Sequence, residues 1–255
     1  MIPLRDENPV RITPWLTYLL IVVNVIVFLM EEFGGIGATE RGLVGPMAGW
    51  TMIPAEITTG QDIPTNGVSL RPFYLTLFTS MFMHGGWLHL GGNMLYLWIF
   101  GNNIEDTLGR GRYLFFYLLS GLAASAAQIA IGPDSVIPNL GASGAIAGVL
   151  GAYLILFPTA RVDSLIFLAI FFTKIRVPAF ILLGFWIVSQ FFSQFLGSLT
   201  MRDGGSGGVA YMAHIGGFIA GMVLIKLFGA KPPRRNEYGA YDAGNDYRTG
   251  ANYRN

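Results

Sequence analysis

Cysteine is absent from this 255-residue chain, and charged residues are scarce. The lack of cysteine excludes disulfide bonds, thiolate metal sites and cysteine nucleophiles. Asp, Glu, Lys and Arg make up 12% of the residues, about half the share of an ordinary soluble domain. Histidine occurs only as His84, His89 and His214, so any imidazole chemistry depends on these three side chains. Lys and Arg number 16 against 15 Asp and Glu, a balance that gives no signal for a nucleic-acid partner.

Apolar residues are abundant in this chain. Hydrophobic residues make up 53% of it, and its mean hydropathy is +0.52. Six stretches lack any charged residue and are each long enough for a bilayer-spanning helix, which needs about 20 residues. They are residues 12–30, 72–104, 113–133, 135–160, 177–201 and 204–225. We therefore predict an all-α, polytopic membrane protein with six spanning helices.

Two stretches need separate interpretation. The charge-free stretch 164–173 is too short to span, and we interpret it as a re-entrant or interfacial piece or an extension of a neighbouring helix. The stretch 12–30 follows basic residues, as a signal peptide would. However, it is followed by Glu31-Glu32 instead of a small-residue cleavage site, so we predict a retained span.

Basic residues set the predicted orientation. With both termini in the cytoplasm, thirteen Lys and Arg lie inside and only Arg41, Arg71 and Arg202 lie outside. The chain then divides into a short cytoplasmic N-terminus (1–11), a six-span domain (12–230) and a disordered cytoplasmic tail (231–255). A long outside loop, residues 31–71, connects the first two spans.

Two polar residues lie four positions apart in the second predicted span, His89 and Asn93. That spacing places both side chains on one face of a helix. The pair offers two donors aimed at one point, as an oxyanion hole requires. Polar side chains that hydrogen-bond between helices show the same spacing, which leaves both interpretations open.

Ser143 lies at the predicted start of the fourth helix. A serine there can be a nucleophile whose own backbone N–H donates to an oxyanion. It can equally be an N-cap, or a small residue that allows close packing.

His214 shares one face of the sixth predicted span with Gly217 and Gly221. The fourth span has a similar face of small residues: Ser143, Ala147 and Gly151. If the two faces meet, Ser143 and His214 face one another and can act as nucleophile and general base. A histidine that is satisfied by an interhelical hydrogen bond is the alternative.

Taken together, these segments resemble the rhomboid family of intramembrane serine proteases. The matching segments are His89-Leu90-Gly91-Gly92-Asn93, Gly141-Ala142-Ser143-Gly144, and Gly208 through Ala213-His214 to Gly217 and Gly221. They occur in the family's order, on the second, fourth and sixth spans, and the similarity covers about residues 10–230. The resemblance implies a six-transmembrane-helix rhomboid-like bundle with a long first outside loop.

The resemblance also implies a mechanism. Ser143 would attack the scissile carbonyl and form an acyl-enzyme, with His214 as its base. The backbone N–H of Ser143 and the side chains of His89 and Asn93 would stabilise the oxyanion. No cofactor and no metal is implied. The residues expected to pack the helices are Gly141, Gly144, Ala147, Gly151, Gly217 and Gly221.

This sequence departs from the family pattern at two places. The family often has an aromatic residue four positions after the nucleophile, where this chain has Ala147. It also often has a Trp-Arg pair in the first outside loop, where only Arg71 is present near the second span. We expect a structural or water-organising role for His84, and a mobile cap in the glycine-rich segment 197–208.

Three other functions stay open as alternatives. A catalytically silent rhomboid-like protein would bind transmembrane helices without cutting them. A transporter would line its path with the same polar residues, although the absence of charge in the spans argues against ion coupling. A metalloenzyme would need all three histidines, but His84 and His89 point about 140° apart on one helix. The expected partners are transmembrane protein substrates and membrane lipids, with no nucleic acid, in a bacterial plasma membrane.

Overall fold

The computed structural model describes residues 1–33, 37–39, 42–44, 48–63, 70–168, 171–200 and 210–232. Its described part is mostly helical. The helices are α1 (Trp15–Phe33), α2 (Pro54–Thr59), α3 (Thr76–Thr79), α4 (Trp87–Tyr96), α5 (Asn102–Leu108), α6 (Arg110–Ile131), α7 (Ser143–Leu156), α8 (Ala179–Thr200) and α9 (Tyr211–Leu227). The strands are β1 (Ile2–Asp6), β2 (Gly37–Thr39), β3 (Gly42–Val44), β4 (Arg161–Leu168) and β5 (Phe171–Pro178). Much of the predicted cap and nearly all of the predicted tail lie outside the described residues.

Several helices are apolar enough for a membrane. Three of them also have the length to cross it, namely α1, α6 and the Ala179–Gly197 part of α8. The segments Phe73–Phe82, α7 and α9 are shorter apolar helices. The exact count of six spans remains a prediction.

The second predicted span is not one regular helix. Its first part, Phe73–Phe82, forms short helical turns, and the chain then bends at Gly85 and Gly86 before α4. A π-helical turn, Leu97–Gly101, joins α4 directly to α5, so the helix continues from Trp87 to Leu108. His89 and Asn93 therefore lie in the first two turns of this continuous helix.

The centre of the bundle is α7, almost all of whose residues are buried. It packs most extensively on α9, through a seam of glycines where the two backbones touch. A Cβ atom on Gly217 or Gly221 would overlap the carbonyl oxygen of Gly144 or Gly148, respectively. Gly148, which the sequence analysis did not name, also lines this seam, beside Gly144 and Gly151. Such contacts are typical of small residues spaced four apart.

The stretch 164–173 is the clearest correction to the sequence analysis. It is not an extension of a neighbouring helix, because residues 161–168 and 171–178 form the antiparallel strands β4 and β5. Strands β4 and β5 lie between α7 and α8 in the chain, and the N-terminal strand β1 pairs with β4 to complete a three-stranded sheet ordered β1-β4-β5. One sheet face carries an ion-pair cluster in which Asp163 contacts Lys174 at 2.7 Å and Arg176 at 3.4 Å.

Two acidic residues in the middle of α5 fix the start of α1. The Glu105 carboxylate is fully buried and accepts hydrogen bonds from the Leu16 and Thr17 backbone N–H groups at 3.0 and 2.7 Å. Asp106 accepts from the Arg11 side chain at 3.1 Å. Carboxylates are favourable at a helix N-terminus because they satisfy free N–H groups and oppose the helix dipole. Here the acceptor comes from a different helix, which ties α1 to α5.

A second polar cluster joins the sheet to the helices around the buried Asp6 side chain. One Asp6 carboxylate oxygen accepts hydrogen bonds from the Tyr153 hydroxyl and the Asn103 side-chain amide, both at 2.8 Å. Asn8 in turn donates to the Tyr153 hydroxyl at 2.7 Å. Burial raises the pKa of Asp6 from 3.8 to about 6, although the bonds from Tyr153 and Asn103 oppose that shift.

Acidification should therefore stabilise this part of the fold. Because the pKa of Asp6 is higher in the folded chain than in the unfolded chain, stability rises as the pH falls from about 7 towards about 4. The shift corresponds to roughly 3 kcal/mol at most. We expect Asp6→Asn to remove this gain, measured as thermal unfolding midpoints in detergent at about pH 7 and pH 5. Glu7→Gln is the matched control at an exposed neighbour. A native midpoint that does not rise relative to Asp6→Asn would contradict the prediction.

Candidate active site

Ser143 and His214 lie in direct contact. The serine is the first residue of α7, and the histidine is the fourth residue of α9. The glycine seam brings the two helices together, and His214 Nε2 lies 2.8 Å from Ser143 Oγ. A serine hydroxyl within hydrogen-bond distance of an imidazole nitrogen is the arrangement of a nucleophile and its general base. The geometry shows the contact, while the catalytic roles stay predictions.

The other nitrogen of the imidazole contacts α8, which the sequence analysis did not anticipate. His214 Nδ1 lies 2.8 Å from the side-chain oxygen of Gln190. The Trp186 ring, one turn earlier on α8, lies 5.8 Å from the imidazole, centroid to centroid, at 35°. Gln190 is a strongly polar residue in a largely apolar span, so the criterion that singled out Asn93 would have pointed to it, together with Gln194. Ala147 is buried, and the aromatic contact expected from that position is made to the imidazole by Trp186 instead.

The segment before Ser143 is held by backbone hydrogen bonds. Gly141 has φ +127°, and its N–H donates to the Ser80 carbonyl at 2.8 Å. Asn139 pairs with Met52 through two backbone bonds of 2.8 and 3.0 Å, which anchor the segment predicted as the first outside loop beside the site. These bonds fix where the serine enters α7.

The predicted helix-packing role of Gly141 needs correction. This residue precedes α7 and lies beside the imidazole of His89. A Cβ atom on Gly141 would lie 2.9 Å from His89 Nε2 and 3.5 Å from Ser143 Oγ. Glycine thus leaves a small open space that both groups border. An oxygen atom of a substrate placed there lies within reach of both.

The predicted oxyanion residues have suitable donors. The Asn93 side-chain nitrogen is buried and has no hydrogen-bond partner among the described residues. The Gly85 N–H donates to His89 Nδ1 at 3.5 Å, which favours the tautomer with the proton on Nε2, nearest to Gly141. Ser143 is the first residue of α7, so its backbone N–H has no partner within the helix. An unpaired buried donor is costly unless a ligand or water satisfies it.

The side chain of His84 lies next to that of His89. Its ring packs edge-on against the His89 ring at 5.2 Å, and its backbone N–H donates to the Glu31 carboxylate at 3.0 Å. Within the described residues, no group of three His, Asp or Glu side chains is placed to hold a metal ion. Both ring nitrogens of His84 are buried without a hydrogen-bond partner among the described residues, so its structural or water-organising role stays a prediction.

A profile of the Rhomboid domain matches residues 72–231, which is more than half of the chain and contains every predicted site residue. The chain belongs to the rhomboid family. Family membership shows the polytopic membrane fold of rhomboids, in agreement with the several apolar helices.

Curated relatives support the same assignment. Rhomboid protein 1, mitochondrial, of Saccharomyces cerevisiae is 30% identical over 82% of this chain and 51% of its own length. Rhomboid protease GluP of Bacillus subtilis is 32% identical over 89% of this chain and 37% of its own. Rhomboid-like protein 11, chloroplastic, of Arabidopsis thaliana is 25% identical over 63% and 55%. This rhomboid therefore spans about half the length of these relatives, or less.

Proposed function

We propose that this rhomboid is an intramembrane serine endopeptidase that cuts membrane proteins in or near a transmembrane segment. The observation that carries the proposal is the 2.8 Å contact between Ser143 Oγ and His214 Nε2. One relative bears the name of a protease, and the family likeness covers most of this chain. Because rhomboid-like proteins without activity also exist, the chemistry needs its own test.

The reaction begins with attack by the serine. Ser143 Oγ forms a bond to the scissile carbonyl carbon while His214 Nε2 accepts the hydroxyl proton. Negative charge develops on the carbonyl oxygen, where the Asn93 amide, the Ser143 N–H and the His89 Nε2–H donate hydrogen bonds. When the C–N bond breaks, His214 returns the proton to the leaving amine, and an acyl-enzyme remains.

Water completes the cycle. His214 removes a proton from a water molecule that attacks the acyl carbon, and then gives this proton back to Ser143 Oγ as the ester bond breaks. No described carboxylate contacts His214, so the proposed machinery is a Ser–His pair without an acidic third member. The backbones of α7 and α9 are in direct contact, which keeps the side chains of Ser143 and His214 next to each other.

The proposal extends to topology and surroundings. Six spans with both termini in the cytoplasm place the site near the outer surface, where water can enter. We propose transmembrane protein substrates, contact with membrane lipids and a bacterial plasma membrane. Some relatives have mitochondrial or chloroplastic in their names, so family membership leaves the membrane open.

Labelling with a fluorophosphonate probe tests whether Ser143 is activated. We expect the folded native protein in detergent to be labelled and Ser143→Ala not to be, because the probe reacts only with an activated serine. Ser164→Ala, at a buried serine in the sheet, is the matched control and should be labelled like the native chain. A folded native sample that takes no label would refute the protease and favour the silent helix-binding protein.

A further inference from the structure

We infer that Gln190 positions the His214 imidazole in the Ser143–His214 pair. We also infer that proteolysis requires α8 to be packed against α9. The inference rests on the proposed function and adds a residue from a different helix. Its starting point is the 2.8 Å contact between the Gln190 side-chain oxygen and His214 Nδ1. The imidazole is thus held at both nitrogens, by α7 on one side and α8 on the other.

The orientation of the Gln190 amide follows from its other contacts. Its side-chain nitrogen lies 3.1 Å from Ser189 Oγ and 3.4 Å from the Trp186 carbonyl oxygen. The Ser189 hydroxyl itself donates to that carbonyl at 2.6 Å, which leaves the Ser189 oxygen as an acceptor. The amide nitrogen therefore faces two acceptors of α8, and the amide oxygen faces the imidazole. The hydrogen-bond network assigns this orientation.

That orientation selects one tautomer of His214. An amide oxygen can only accept, so His214 Nδ1 must carry the proton that it donates. The lone pair of Nε2 is then directed at Ser143 Oγ, as a general base requires. In the other tautomer, Nε2–H would face the serine, and two lone pairs would oppose one another at Gln190. A buried carboxylate performs the same selection in Ser–His–Asp proteases.

Gln190 and Trp186, which both contact the imidazole, belong to the same helix, α8. Trp186 contacts the His214 ring and also packs against Phe218 of α9, with 6.0 Å between ring centroids. Apart from this contact region, α8 exposes a large apolar surface. Its exposed side chains include Phe180, Phe185, Val188, Phe191 and Phe192. Gln190 and Trp186 therefore couple the tautomer of His214 to the position of α8.

The coupling has a consequence for substrate cleavage. If α8 separates from α9, His214 loses both its hydrogen bond and its ring contact, and Ser143 loses an oriented base. Any substrate that displaces α8 on entry must allow it to return before the acyl-enzyme forms. The acylation step can then occur only while α8 is packed against α9.

Three variants test the positioning role. Gln190→Met keeps the length of the side chain but removes the acceptor, and Gln190→Glu keeps an acceptor oxygen at the same reach. Gln194→Met is the control, since it makes the same substitution four residues later on the same helix. We expect Gln190→Met to lower kcat and the fluorophosphonate labelling rate about 10²-fold with KM changed less than about twofold. The kcat of Gln190→Glu should be at least about tenfold higher than that of Gln190→Met, and the kcat of Gln194→Met should equal that of the native chain.

Imidazole ¹⁵N NMR gives a readout that does not depend on activity. The chain has three histidines, so each can be assigned by replacing it singly. We expect His214 to carry its proton on Nδ1 in the native protein and to mix both tautomers in Gln190→Met. Unchanged kcat, or an unchanged Nδ1–H tautomer in folded Gln190→Met, would overturn the inference.

Two further outcomes are informative. If the native protein takes no label but the tautomer still shifts in Gln190→Met, the protease proposal fails while the positioning role stands. If Gln190→Met does not fold, Gln190→Asn replaces it, because the shorter amide withdraws the oxygen from His214 without removing a polar group. An Asn variant with native kcat and an Nδ1–H tautomer would overturn the inference.

Discussion

Replacing either Ser143 or His214 with alanine is expected to lower the rate of substrate cleavage by at least about 10⁴-fold. In the proposed reaction the serine provides the atom that bonds to the substrate, and the histidine is the group in contact with its hydroxyl. Because the two act as one unit, removing the second after the first should cost little more. The cleavage rate of the double variant should therefore lie within about threefold of the rate of the slower single variant.

The measurement is cleavage of a single-span model substrate in lipid vesicles. Under the proposed topology, a substrate with a glycine or proline in the outer part of its helix is expected to present an unwound bond to the site. The native chain and Ser164→Ala supply the reference rates, since Ser164 lies in the sheet and not in α7. A double variant that is much slower than either single variant would show that the two residues act separately. Residual cleavage near the native rate in Ser143→Ala would place the nucleophile elsewhere.

Simple reasoning about polar residues in apolar stretches located most of the candidate site. Ser143, His214, His89 and Asn93 were each singled out because a membrane span rarely contains such side chains without a use. The structure brings Ser143 into contact with His214 and leaves the Asn93 amide without a partner. What they do chemically remains a proposal.

Gln190 was missed although it satisfies the same criterion. Gln190 matters because its side-chain oxygen contacts His214, which is distant in the sequence, and because its amide oxygen points toward the imidazole. Neither follows from helical spacing, which relates residues only within one helix. The same reason explains Glu105, whose acceptor role depends on the position of α1 relative to α5.

The sheet was missed because the criterion used was length. A charge-free stretch of ten residues was compared with the span of a bilayer, and only helical or interfacial answers were considered. Burial along β4 does not alternate either, because Val162, Asp163 and Ser164 are all buried. The strand ends in the apolar run 165–168, so a period of two, the usual signal of a strand, is absent here.

Replacing Gly221 with alanine is expected to disrupt the bundle at its centre. An alanine Cβ there would overlap the carbonyl oxygen and Cα of Gly148, which are backbone atoms in the middle of α7. Backbone atoms cannot turn aside as a side chain can, so α7 and α9 must separate. Overpacking of a core costs about 1–3 kcal/mol even where side chains adjust, and we expect at least the upper end of that range.

The separation should also remove the contact that the proposed chemistry needs. Ser143 and His214 lie on the same two helices, so Gly221→Ala is expected to lower both the thermal midpoint in detergent and the labelling of Ser143. Gly184→Ala is the matched control, because a Cβ on that glycine of α8 meets no atom within 4 Å. In open space, alanine favours a helix over glycine by up to about 1 kcal/mol, so this variant should be unchanged or slightly more stable. If Gly221→Ala and Gly184→Ala unfold at the same temperature, the close approach of α7 and α9 at Gly148 would be wrong.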